Sequence, residues 1–318
     1  MKSRRVAWTL VRVVVGAALV VWLSRTGALD WRSASAFADN WRAVATAEAA
    51  FMIALALTAL RLVVLFRATD MRLSISNAIQ LCLVGIFFNL VFPGGGGGDV
   101  IRIWFATEGN EGRRAEVVAV MLLDRIVGLF ALILWPLLAL LAFPSVRALP
   151  VVQGLAAAAG IALAILIGVL LIAFSERLQT TRLVQWVFTR PLGGILQRMV
   201  MTVHAYRRAP MALLTAGAIS LVAHGFGLGS TVLLAMALLG DQFDSAVWAL
   251  LPFGFLANAL PLTPGGLGVG ETAFDRLFNL VGLPKGALVL IGWRLLSLPP
   301  AALGLAVYLR GRRQFVAP

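Results

Sequence analysis

Residues 88–102 read Phe-Asn-Leu-Val-Phe-Pro-Gly-Gly-Gly-Gly-Gly-Asp-Val-Ile-Arg, and residues 258–271 read Asn-Ala-Leu-Pro-Leu-Thr-Pro-Gly-Gly-Leu-Gly-Val-Gly-Glu. Each closes an apolar block, at 75–92 and 246–262, and each leads into an amphipathic stretch. The order is the same in both: apolar helix, Asn, Pro, glycine cluster, acid, second helix. Proline stops the first helix and glycine supplies the positive φ values of the turn. Paired Gly/Pro interruptions in corresponding halves of an apolar chain point to a transporter binding site. The competing explanation is close helix packing, which glycine also permits.

Outward from these breaks the chain is a membrane protein. Sixty per cent of its 318 residues are apolar and 13% charged, too little polar surface for a water-soluble fold of that length. Blocks at 6–23, 49–66, 117–143, 151–174, 211–239 and 286–309 are near the roughly 20 residues that cross a bilayer. The N-terminal block resembles a signal peptide, but it carries Arg12 and lacks a clear cleavage motif, so it reads as an uncleaved first span. The single Cys82 allows no intrachain disulfide.

The net charge of +13 comes from arginines gathered at block ends and in one loop. That is the positive-inside pattern, and it argues against a nucleic-acid partner. The N-terminus, the 175–210 connection and the C-terminal tail are basic, whereas residues 240–245 contain Asp241 and Asp244. Counting 75–92 and 246–262 as full spans gives eight and forces the arginine-rich 175–210 connection outside. Treating each as a hairpin that returns to its own side lets every loop follow its charge. The expected fold is therefore a single all-α polytopic membrane domain over 1–318: six transmembrane helices and two re-entrant hairpins of opposite orientation, with eight spans as the alternative. The expected setting is a bacterial cytoplasmic (inner) membrane with both termini cytoplasmic. The 175–210 connection, with Trp186 and Phe188 among its arginines, reads as interfacial helices.

In hydrocarbon an unpaired backbone amide costs several kcal/mol, so non-helical backbone survives there only against protein or a wet cavity. The second helix of each hairpin then offers free N–H groups and a positive dipole end, a setting suited to anions. The candidate headgroup-binding set is Gly94, Gly95, Gly96, Gly97, Gly98, Gly265, Gly266 and Gly268 with Arg102, Arg125 and Arg294. Asp99, Asp124 and Glu271 form the charge-pairing or coupling set. As helix caps, or as partners of arginine, a proton or a cation, Asp99 and Glu271 remain open to several roles. Arg12 and Arg61 are expected to snorkel, and mid-span His224 reads as a hydrogen-bonded packing residue, with a proton relay as the alternative. Asp124 and Arg125 point about 100° apart on a helix, so they should seek different partners, Asp99, Glu271 and Arg102 being the natural ones. No nucleophile, metal-ligand spacing or cofactor motif emerges, so no enzyme is expected.

Pro93 to Arg102, Asp124 to Gly128 (DRIVG), and Pro264 to Glu271 (PGGLGVGE) resemble three landmarks of the lysylphosphatidylglycerol synthase transmembrane-region family, also called flippase-like or UPF0104. The first landmark often reads Pro-Gly-Arg-x-Gly-Asp/Glu, so the glycines here remove a basic side chain and leave Arg102 as the local cation. The second often begins with Glu rather than Asp124. The resemblance implies handling of phospholipid headgroups, without the aminoacylation that belongs to a separate soluble domain in full-length relatives. The leading expectation is a lipid flippase-like translocator for an anionic lipid or lipid-linked headgroup. The alternatives are an ion-coupled small-solute secondary transporter and a non-catalytic subunit of an envelope-lipid pathway. Partners are then membrane lipids, with a second copy of the chain or an envelope-lipid enzyme left open.

Overall fold

A computed structural model describes residues 37, 40–69, 71–91, 97–108, 111–190, 194, 197, 200–201, 204–259, 268–310 and 316–317. The expected first span at 6–23 lies outside them. The principal helices are α1 (Trp41–Arg67), α2 (Ile75–Val91), α3 (Gly97–Thr107), α4 (Arg114–Ala142) and α5 (Pro150–Phe174). They are followed by α6 (Pro210–Leu239), α7 (Val247–Asn258), α8 (Val269–Asn279), α9 (Gly286–Leu296) and α10 (Leu298–Leu309). The protein is an all-α polytopic membrane protein. Among the described residues, five segments are long and apolar enough to cross a bilayer: α1, α4, α5, α6 with its short extension, and α9 continued by α10. They fall on five of the six blocks expected to span. The sixth-block helix breaks at Ser297, because Pro299 and Pro300 follow at once and cannot donate to the preceding turn. Ser297 Oγ donates to the Arg294 carbonyl at 2.5 Å and closes α9.

α2 and α7 are shorter than the spans. Each packs against the helix that follows its break, α2 on α3 and α7 on α8. α1 lies along α6 in the most extensive helix pair, and α10 lies on α2. Gly304 makes the second approach possible, since a Cβ there would run into the Leu83 backbone. Trp135 of α4 donates its indole N–H to the Leu221 carbonyl of α6 at 2.8 Å, tying those two spans together.

Long-range hydrogen bonds sort the loops into two ends. At one end Tyr206, in the 175–210 connection, donates to the Leu65 carbonyl at 3.1 Å. Arg113, just before α4, donates to the Thr69 carbonyl at 2.8 Å. There too Arg72–Leu73 pairs antiparallel with Val316–Ala317, Arg72 opposite Ala317 and Leu73 opposite Val316. This short two-stranded ladder was not foreseen in the sequence. At the other end Asn40 Nδ2 donates to the Ala237 carbonyl at 3.1 Å and Lys285 Nζ to the Leu238 carbonyl at 3.2 Å. The connection, the 68–74 turn and the C-terminal ladder therefore share one face of the bundle, and the loop after α6 lies opposite.

Candidate functional site

The predicted charged residues fall into two clusters, one per half of the chain. In the first, α2 ends near Asn89, whose Oδ1 accepts the Gly98 N–H at 3.0 Å. Gly98 has no room for a side chain: a Cβ would lie 2.6 Å from the Asn89 carboxamide. The next residue, Asp99 in the first turn of α3, pairs with Arg125 of α4. One turn along α3, Arg102 Nη1 approaches Asp99 Oδ1 at 3.7 Å.

Behind that pair lies a deeper one. Asp124 is fully buried, and its Oδ1 accepts Arg61 Nε at 2.8 Å. Arg61 Nη1 donates to Ser220 Oγ at 2.8 Å, so the guanidinium joins α1, α4 and α6. Arg61 does not snorkel; it is buried in the core. The physical reason is the carboxylate beside it, since a paired and hydrogen-bonded guanidinium tolerates burial that a lone one does not. Arg102 Nη2 lies 3.5 Å from Asp124 Oδ2 and 3.7 Å from Cys82 Sγ. These contacts are loose, and among the described residues Arg102 Nε has no hydrogen-bond partner. Among the described residues three guanidiniums, of Arg61, Arg102 and Arg125, thus face two carboxylates, and the first cluster keeps one positive charge.

Two glycines shape it. A Cβ at Gly85 of α2 would overlap the Arg102 stem, and one at Gly128 would lie 3.2 Å from Arg61 Nη1. Gly128 is one turn beyond Asp124, so the DRIVG stretch has a physical reading. Its Asp holds Arg61, its Arg reaches Asp99, and its Gly leaves space for the Arg61 head.

The second cluster repeats the scheme. Asn258 ends α7, and a Cβ at Gly270 would collide with its Oδ1. The next residue, Glu271, pairs with Arg294 of the following span, Nη2 to Oε1 at 3.0 Å. Arg294 Nη2 also donates to Asn258 Oδ1 at 3.4 Å. Each half therefore holds an asparagine against the glycine that precedes an acid, and the acid pairs with an arginine of the next span. Glu271 acts as a helix cap as well, since its Oε2 accepts the N–H of Gly268, which sits at φ +79°.

Among the candidate headgroup donors, the amides of Gly98 and Gly268 are occupied by Asn89 and Glu271 in this arrangement. Gly97 opens α3. Gly94, Gly95, Gly96, Gly265 and Gly266 lie outside the described residues, as does Arg12. Asp124 and Arg125 do take different partners, as their 100° separation requires, with Arg61 as the partner that hydropathy hid. His224 Nδ1 meets the Ser220 carbonyl of its own helix at 2.8 Å, and no group of three His, Cys, Asp or Glu able to hold a metal occurs among the described residues.

The family model described as "Lysylphosphatidylglycerol synthase TM region" matches residues 9–304. The chain belongs to this family. Both glycine-acid breaks and the Asp124-Arg125 pair fall inside the match, so all three landmarks lie within the family region. A UPF0104 membrane protein of Pyrococcus horikoshii is 22% identical over 328 aligned residues, covering 96% of this chain and 98% of that protein. No solved structure matches the chain.

Proposed function

We propose that the protein is a flippase-like translocator that moves an anionic lipid, or a lipid-linked anionic headgroup, across a bacterial cytoplasmic membrane. The observation that carries this reading is the repeated arrangement of Asn89, Gly98, Asp99 and Arg125 against Asn258, Gly270, Glu271 and Arg294. Two acid–arginine latches, one at each interrupted helix pair, are what an alternating-access carrier needs at its two gates. Opening either latch frees a guanidinium for a headgroup phosphate and leaves a carboxylate to take up a proton. Family membership supports a lipid-related role.

In this reading α2–α3 and α7–α8 are re-entrant hairpins that enter from opposite sides. Support comes from Arg113, after α3, meeting Thr69, before α2, so that the pair begins and ends at one face. Lys285, after α8, meets Leu238, before α7, at the other. With 6–23 as the first span, six crossings result. The basic N-terminus, 175–210 connection and tail then all face the cytoplasm, as loop charge requires. No catalytic group is assigned.

Reconstitution into vesicles with fluorescent anionic lipids tests the proposal. Leaflet exchange should depend on the protein and be lost in Glu271→Gln and in Arg125→Ala. Exchange that is unchanged in both variants would sink the assignment of the latches.

A further inference from the structure

The two latches differ in what surrounds them. The Arg294 side chain is only 8% exposed and its partner Glu271 21%. The Arg125 side chain is 47% exposed, although it sits eleven residues into a 29-residue span. At 1.5 Å per residue that is about 16 Å from the start of α4, near the middle of the hydrocarbon. Its neighbours on the same face, Leu122 and Leu129, three residues before and four after, are 42% and 44% exposed. On α3, the helix that Arg125 reaches through Asp99, Val100 and Trp104 are exposed as well. Among the described residues the pair Asp99–Arg125 therefore lies beside exposed apolar side chains of α3 and α4.

A guanidinium at that depth is costly unless it faces a polar occupant or a wet cavity. Asp99 offsets part of the cost. Among the described residues the cluster at this latch still carries one positive charge in excess, with Arg102 held there by contacts of 3.5 Å and longer. A positive centre framed by exposed leucines, a valine and a tryptophan matches one kind of molecule: an amphiphile with a phosphate-type headgroup and hydrocarbon tails. A water-soluble anion would satisfy the charge and leave the apolar frame unused.

We infer that the exposed surface of α3 and α4 around Asp99 and Arg125 is a lateral port. An anionic amphiphile loads there from within the bilayer, headgroup on Arg125 in exchange for Asp99 and tails along Leu122, Leu129, Val100 and Trp104. The inference rests on the translocator reading for its purpose but makes a separate claim, that loading occurs at the first latch and not the second. Arg125 is the receiving residue, and Asp99 is its competitor.

The test uses the full chain in phosphatidylcholine nanodiscs doped with a phosphatidic acid that bears a diazirine on its acyl chain. Photolysis should place adducts on the α3 and α4 segments that contain Val100, Trp104, Leu122 and Leu129. Loss of a charge-assisted contact predicts a fall in labelling of about tenfold in Arg125→Gln. Arg125→Lys should keep part of the labelling, and Asp99→Asn, which removes the competitor, should increase it. Leu122→Trp, which fills the frame without touching the charges, should lower it. Glycerol phosphate at equal concentration should not displace the label. Labelling that ignores Arg125→Gln, adducts confined to other helices, or full displacement by glycerol phosphate would each overturn the port. Leaflet exchange with Arg125-independent labelling rejects the port and leaves the translocator standing; Arg125-dependent labelling without exchange does the reverse.

Discussion

Arg61 donates to Asp124 at 2.8 Å across 63 residues of sequence, joining α1 to α4 where both side chains are buried. Removing one partner strands the other's charge in the core, a change that costs about 3–5 kcal/mol. Asp124→Ala should therefore lower the thermal stability of the purified protein sharply, and more than Asp99→Ala, whose partner Arg125 reaches the bundle surface. Replacing both with apolar residues, as Arg61→Met with Asp124→Leu, should recover part of the loss. A double variant no more stable than Asp124→Ala alone would show that Arg102 depends on Asp124 as much as Arg61 does. Unfolding in detergent, followed by tryptophan fluorescence, gives the comparison.

Glu271 performs two tasks with two oxygens: Oε1 pairs with Arg294 and Oε2 accepts the Gly268 amide. Glutamine keeps an acceptor and the shape but loses the charge. Glu271→Gln should lose stability, because the buried Arg294 keeps its charge without a carboxylate, and should fail to exchange lipid, whereas Glu271→Ala should lose about 1 kcal/mol or more beyond that from the missing cap. Equal melting temperatures for the two variants would argue against the capping role.

Gly85 makes the slot in which the Arg102 stem lies. Gly85→Ala should force that stem aside at about 1–3 kcal/mol, the usual cost of overpacking. In an Arg102→Ala background the same substitution should be nearly neutral. A double-mutant cycle reads the coupling directly, and additive effects would mean that Gly85 serves α2 packing instead.

Tyr206 anchors the 175–210 connection to α1 through Leu65. Burial, with the charge of Asp124 adding to it, pushes the phenol above its ordinary range. A raised folded value means that this contribution to stability is complete below about pH 10, where free tyrosine titrates, and fades as pH rises further. The chain has two tyrosines, so the difference in tyrosinate absorbance between the native protein and Tyr206→Phe isolates this one. Its ionisation should appear only together with alkaline unfolding. An earlier, reversible step in the folded protein would contradict the burial.

Much of the architecture was legible before any coordinates. Hydropathy located the apolar centres of α1, α4, α5 and α6, because membrane burial needs long unbroken runs. It undershot the start of α1, where Trp41 to Glu48, with Arg42 and Glu48 among them, still belong to the helix, and it located α9 and α10 as one crossing without showing the break that Pro299 and Pro300 impose at Ser297. The Gly-acid breaks and the arginines to watch were visible because charge and glycine runs are rare and expensive in a bilayer.

What the sequence by itself determined is the class of fold, the two interruptions and the set of charges available to meet there. Only the tertiary structure decided who meets whom. Arg61 looked like a residue that reaches for water, and the packing of α1 against α4 and α6 turned it into the partner of Asp124. Arg125 and Arg294 looked alike, yet one ends half-exposed beside leucines and the other enclosed beside Asn258. Local sequence sets the cost of burying each charge. Which charge is buried, and against what, depends on helices brought together across dozens of residues, and no window along the chain contains that information.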